Sequence, residues 1–102
     1  MAKLVVLYKK PADATAFDDY YFKTHVPLAN KIPGLKRYEV NAAPIASPTG
    51  ASPYHLVATL EFDSMGALQQ ALGSSAGVAA AGDLANFAQA GVEMLMFDTK
   101  EV

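Results

Sequence analysis

Apolar and polar positions along the chain alternate in blocks that predict six principal elements. Leu4–Tyr8, "LVVLY", is an unbroken apolar run rich in β-branched and aromatic residues, which predicts a strand buried on both faces. "KKPAD" interrupts it, and Asp13, or Thr15 with Asp18 in capping-box spacing, opens a helix from about Ala14 to about Val26. At 100° per residue, Phe17, Tyr20, Tyr21 and Thr24 fall on one arc of that helix, with His25 at its edge. Pro27 lacks an amide proton and clashes with the carbonyl one turn back, so the helix is expected to end or kink there.

After the "IPGL" turn, a second strand is expected from Leu35 to Asn41. Residues 42–53 hold three prolines, a glycine and two serines, and read as a long loop. Tyr54–Phe62 shows the clearest period of two. It puts Tyr54, Leu56, Ala58, Leu60 and Phe62 on one face, and His55, Val57, Thr59 and Glu61 on the other. Asp63 or Ser64 caps a helix to about Leu72, an Ala-rich helix follows from about Ser75 to Gln89, and "VEMLMFD" is the last strand.

The order strand, helix, strand, strand, helix, strand predicts one α+β domain over residues 1–102. It is the ferredoxin-like βαββαβ pattern with an antiparallel four-stranded sheet. In such a two-layer domain the helices cover one sheet face. Here the first and last strands carry apolar residues on both faces, so a lone protomer leaves one apolar face wet. The expected remedy is a homodimer through the sheet faces, enclosing a cavity for a small hydrophobic molecule.

Composition narrows the chemistry. The chain has 102 residues, 52% hydrophobic and 18% charged, with a net charge of -2. No basic cluster points to nucleic acid. With no cysteine there is no disulfide framework, thiol nucleophile or thiolate metal site. No apolar run is long enough for a membrane span, and no signal peptide is read, so a cytoplasmic protein is expected. Nucleotide-binding glycine patterns and the Gly-x-Ser-x-Gly elbow are missing, and the two histidines lack a metal-ligand spacing. Neither cofactor nor metal is expected.

His25 is the first candidate catalytic group. A partly covered neutral imidazole suits general-base work. The competing reading is a histidine that only satisfies its own helix C-terminus. Asp18 lies two turns away, about 10 Å along a straight helix, too far to orient it, whereas Tyr21 is its i,i+4 neighbour. Tyr21 is therefore the second catalytic candidate. Tyr8, His55 and Glu93 are candidate substrate contacts on faces that a cavity between sheets would use.

The runs "LYKKPADATAFDDYYFKTHVPLANKIPGLKRYEV", "EFDSMGAL" and "ANFAQAGVEMLMFD" resemble the EthD family of small dimeric α+β barrel proteins, over about Leu4 to Asp98. The most specific part is Phe17, Tyr21, His25-x-Pro27-Leu28 and then Pro33-Gly34. The resemblance implies a ferredoxin-like fold, a sheet-to-sheet dimer and a role for His25. Similar barrels include cofactor-free monooxygenases, lactone isomerases and cyclases, and relatives are often described as oxidoreductases. The expected function is proton transfer by His25 on a small aromatic or lactone-like compound in catabolic or secondary metabolism, such as ether degradation. The alternative is a non-catalytic ligand carrier accessory to an oxygenase.

Overall fold

The computed structural model describes all 102 residues. Strand β1 (Ala2–Lys9) is central, and buries Ala2, Leu4, Val6 and Tyr8 beneath the helices. Its other face, with Val5 and Leu7, is only half-buried, so the run expected to be covered on both sides is covered on one within the protomer. β2 (Arg37–Val40) and β5 (Tyr54–Phe62) follow the same alternation, and β6 (Val92–Asp98) closes the far edge. The sheet order is β2-β5-β1-β6 with every pairing antiparallel, the ferredoxin-like arrangement read from the element order. Residues 42–53, expected as loop, carry a small hairpin of β3 (Ala46–Ser47) and β4 (Gly50–Ala51).

The first helical segment departs from expectation at the proline. α1 (Ala14–Tyr20) starts at Asp13, whose carboxylate accepts from the Ala16 amide at 3.0 Å. It runs without a break through a π-helical turn (Tyr21–His25) into α2 (Val26–Ala29). Pro27 therefore does not end the helix. In the π turn the Val26 amide reaches back five residues to the Tyr21 carbonyl, which loosens the spiral just where the proline ring would crowd the preceding turn. Pro27 then occupies the first turn of α2, where a missing amide proton costs little. A wider turn also rotates each residue by less than the α-helical step. His25 swings back under Phe17 and Tyr21 and becomes buried, while Thr24 points to solvent.

α3 (Met65–Gly73) is capped by Ser64, and α4 (Ser75–Phe87) by Ser74. The two helices meet at their joint without a spacer. A Cβ on Gly77 would sit 2.1 Å from the Ala71 carbonyl oxygen and 2.9 Å from Leu72 Cα. Glycine is thus required for backbone contact between them. No helix is long and apolar enough to cross a membrane.

Edge strand β6 is exposed on both faces. Met94 and Met96 stand opposite Val6 and Leu4 on the helix side, and Leu95 and Phe97 stand opposite Val5 and Lys3 on the other. Replacing Gly77 by alanine should push α4 off α3 and destabilise the fold by about 2 kcal/mol. A urea melt that leaves the midpoint unchanged would refute this packing.

Candidate functional site

His25 and Asp83 meet across the helix layer. The imidazole Nδ1 lies 3.0 Å from Asp83 Oδ2, and both residues are buried, at 6% and 5% exposure. The π turn brings His25 inward, and α4 supplies Asp83 from an otherwise apolar, Ala-rich stretch. Asp83 Oδ1 accepts two further hydrogen bonds, from the Tyr20 hydroxyl at 2.6 Å and from Asn86 Nδ2 at 2.9 Å. Burial pushes the Asp83 carboxyl up. The donors Tyr20, Asn86 and His25 outweigh it and hold the group below the usual carboxylate range. An ionised carboxylate can only accept, so Nδ1 carries a proton, and in the neutral ring Nε2 presents its lone pair. The hydrogen bond to Asp83 likewise raises the Tyr20 phenol.

His25 Nε2 and the Tyr8 hydroxyl hydrogen-bond to no protein group, and no fully buried side-chain polar atom lacks a partner. Both atoms therefore border open space. Both residues line a cavity of about 50 Å³ between the sheet and the helices, walled by 16 residues of which 14 are hydrophobic. Leu4, Val6, Ala58 and Leu60 form its sheet side, and Gly77 and Ala80 its α4 side. Tyr21 and Tyr38 share a short hydroxyl–hydroxyl hydrogen bond at its wall. Phe87 packs on the His25 ring at 4.8 Å between centroids, and Tyr21 lies at 5.3 Å. Burial raises the phenols of Tyr8, Tyr21 and Tyr38 above their ordinary value.

Of the sequence candidates, the structure gathers His25, Tyr21 and Tyr8 around this one cavity. The expectation that the His25 cavity lies between two sheets is corrected: it lies inside the protomer. The small side chains of α4 leave room there. Two other candidates lie elsewhere. His55 is displaced by a β-bulge, because Tyr8 pairs with Leu56 while Lys9 pairs with Tyr54. The extra residue reverses the alternation at the start of β5. Tyr54 turns to the outer face, where its hydroxyl donates to Glu93 at 2.8 Å. His55 turns toward α1, where Nε2 lies 2.7 Å from Asp18 Oδ1. It borders a separate surface hollow with Lys10, Phe22 and Asn41. The stacked rings of Phe17 and Tyr21 separate the two histidines.

Sequence reasoning missed Asp83 and Asn86, and did not single out Tyr38 from the other tyrosines. The available signal was a lone carboxylate with an amide three residues later inside an apolar helix. No group of three or more histidine or carboxylate side chains is placed to hold a metal ion.

Fold and site together define a small ferredoxin-like α+β protein with a buried histidine–aspartate pair opening on an apolar cavity. The chain belongs to the EthD family: the EthD domain matches residues 9–91. It is 40% identical over 102 residues to an uncharacterised 11.0 kDa protein of the thcB–thcC intergenic region of Rhodococcus erythropolis, covering 100% of this chain and 98% of that one. It is 37% identical to an ethyl tert-butyl ether degradation (EthD) family protein of Bacillus halodurans, whose crystal structure superposes with a TM-score of 0.90 over 98% of this chain and 99% of that one. The fold is shared with SnoaB of Streptomyces nogalater, a cofactor-independent oxygenase, at 15% identity and a TM-score of 0.67 over 99% and 94% of the two chains. Other solved ferredoxin-like structures of this type are described as dimeric.

The raised phenols make alkaline stability a direct test of the aromatic cluster. The unfolded chain loses these protons first, from an ordinary value of 10.0. Their stabilising contribution is whole below that pH and is lost as pH rises above it. At about pH 11 the loss should be on the order of 1 kcal/mol for each of Tyr8 and Tyr21. Urea unfolding at about pH 8 and about pH 11 checks it. Tyr21→Phe should show a smaller alkaline loss than wild type.

Proposed function

We propose that the protein binds a small, uncharged, largely apolar compound in the His25 cavity and that His25 removes a proton from it without a cofactor. The observation that carries this reading is a histidine lining an otherwise apolar cavity, with one ring nitrogen held by a buried carboxylate and the other without a protein partner. A proton passes from an acidic O–H or C–H of the substrate to Nε2. The electron pair stays on the substrate as a phenolate or enolate, and the Tyr8 hydroxyl, which has no protein partner, donates to that oxygen. Imidazolium beside ionised Asp83 is a compensated pair, which lowers the cost of forming charge in an apolar site. Tyr21 acts as a positioning residue, packed on the imidazole and tied to Tyr38. His55 and Glu93 have no part in this step. Oxidation by dioxygen, isomerisation and cyclisation can each begin with this deprotonation, and the likeness of fold to a cofactor-independent oxygenase supports an oxidoreductase among them.

The test is solvent deuterium exchange into small cyclic ketones, lactones and hydroxyarenes with an exchangeable carbon-bound hydrogen. Wild type should accelerate exchange in at least one class, and His25→Ala should lose about 10²- to 10⁴-fold while remaining folded. Asp83→Asn should fall in the same direction. The apolar lining also suits a carrier that protects such a compound for a partner oxygenase, in the cytoplasm. A carrier would bind ligand equally well in wild type and His25→Ala, and neither would accelerate exchange.

Assembly through the outer sheet face belongs to the same proposal. Leu95 and Phe97 are 56% and 44% exposed and adjoin half-buried Val5 and Leu7. A two-fold partner laid on this face would remove that apolar surface from water. Light scattering should give twice the chain's 10.8 kDa. Leu95→Asp with Phe97→Asp should give the monomer, and a monomeric wild type would refute the interface.

A further inference from the structure

The cavity at His25 measures about 50 Å³, whereas an apolar cavity of about 150 Å³ is the size that holds a benzene ring. A ring-sized ligand therefore enters only if a wall moves. The walls differ in how firmly they are held. Strands β1 and β5 are each hydrogen-bonded on both sides. The start of α4 is locked by the backbone contact of Gly77 with α3. Met94 is different. It stands on edge strand β6, faces the helix side opposite Val6, lines the cavity and remains 52% exposed. Its side chain is unbranched, with three rotatable bonds.

The charge at the site restricts the ligand as well. No cationic side chain lines the cavity, and its polar groups are the His25 imidazole and tyrosine hydroxyls. Ionised Asp83 lies directly behind the imidazole. A carboxylate ligand would meet no counter-charge and a nearby like charge.

We propose that Met94 is the gate of this cavity and limits its ligand to one uncharged ring bearing a hydroxyl, the class of simple phenols. The inference rests on the reading above that the cavity is the binding site. With Met94 swung outward, the ring takes the apolar volume and its hydroxyl lies between His25 Nε2 and the Tyr8 hydroxyl. A second fused ring would collide with the methionine stem.

The experiment titrates phenol, 2-naphthol and benzoate into wild type and Met94→Ala near neutral pH, following the ring carbon signals of His25 by NMR. Thermal melts confirm that the variant is folded. Phenol should shift the His25 signals in both proteins, and benzoate in neither. Met94→Ala should bind 2-naphthol about tenfold or more tightly than wild type, the scale expected when a pocket gains room for added apolar groups. Equal 2-naphthol affinity in the two proteins, with His25 shifted in both, overturns the gate and leaves the cavity as the site. Benzoate binding as well as phenol overturns the restriction to neutral ligands. If no compound moves the His25 signals in either protein, the cavity reading fails together with the gate.

Discussion

The hydrogen bond between His25 and Asp83 joins two helical segments that lie 58 residues apart in sequence. Most of what is distinctive in this molecule depends on it. A buried carboxylate is costly unless its lone pairs are filled. Tyr20, Asn86 and His25 fill them from two segments that pack side by side on the sheet. Once Asp83 is held as an anion, His25 Nδ1 must carry a proton toward it, and Nε2 is left as the nitrogen facing away. The same network that makes the interior tolerable also fixes which nitrogen of His25 faces the carboxylate.

Local irregularities in the backbone aim both histidines. The π turn loosens the helix ahead of Pro27 and rotates His25 inward. The bulge between Tyr8 and Lys9 lifts His55 out of its strand alternation and turns it onto Asp18. Each device inserts a residue into an otherwise regular element, and each ends with an imidazole against an aspartate. Yet the environments differ. Asp83 is buried, and its histidine meets an apolar cavity. The side chains of His55 and Asp18 are 23% and 48% exposed, so water competes for that pair. Burial, rather than the residue pair itself, makes His25 the stronger candidate for chemistry.

The element order and the helix-facing positions of β1 and most of β5 were legible in the alternation of residues. Those patterns depend on nearest neighbours and on which face meets water. The apolar excess on the first and last strands was legible too, and it is realised as the exposed face of β6 and the half-buried face of β1. His25, Tyr21 and Tyr8 were legible as candidates. The place of the cavity they line, between sheet and helices, was not, and Asp83, the group bonded to His25, passed unnoticed in an alanine-rich helix.

By itself the sequence determined the ferredoxin-like framework, the absence of thiol chemistry and the unusual placing of a histidine two residues before a proline. Periodicity and composition are properties of the chain, and they suffice for these. Tertiary structure alone decided that the helix runs through Pro27, that His55 leaves its expected face, and that the cavity lies within the protomer. Each of these turns on contacts between residues distant in the chain or on a one-residue shift in register. Such a shift leaves hydrophobic content unchanged while moving a side chain to the other face.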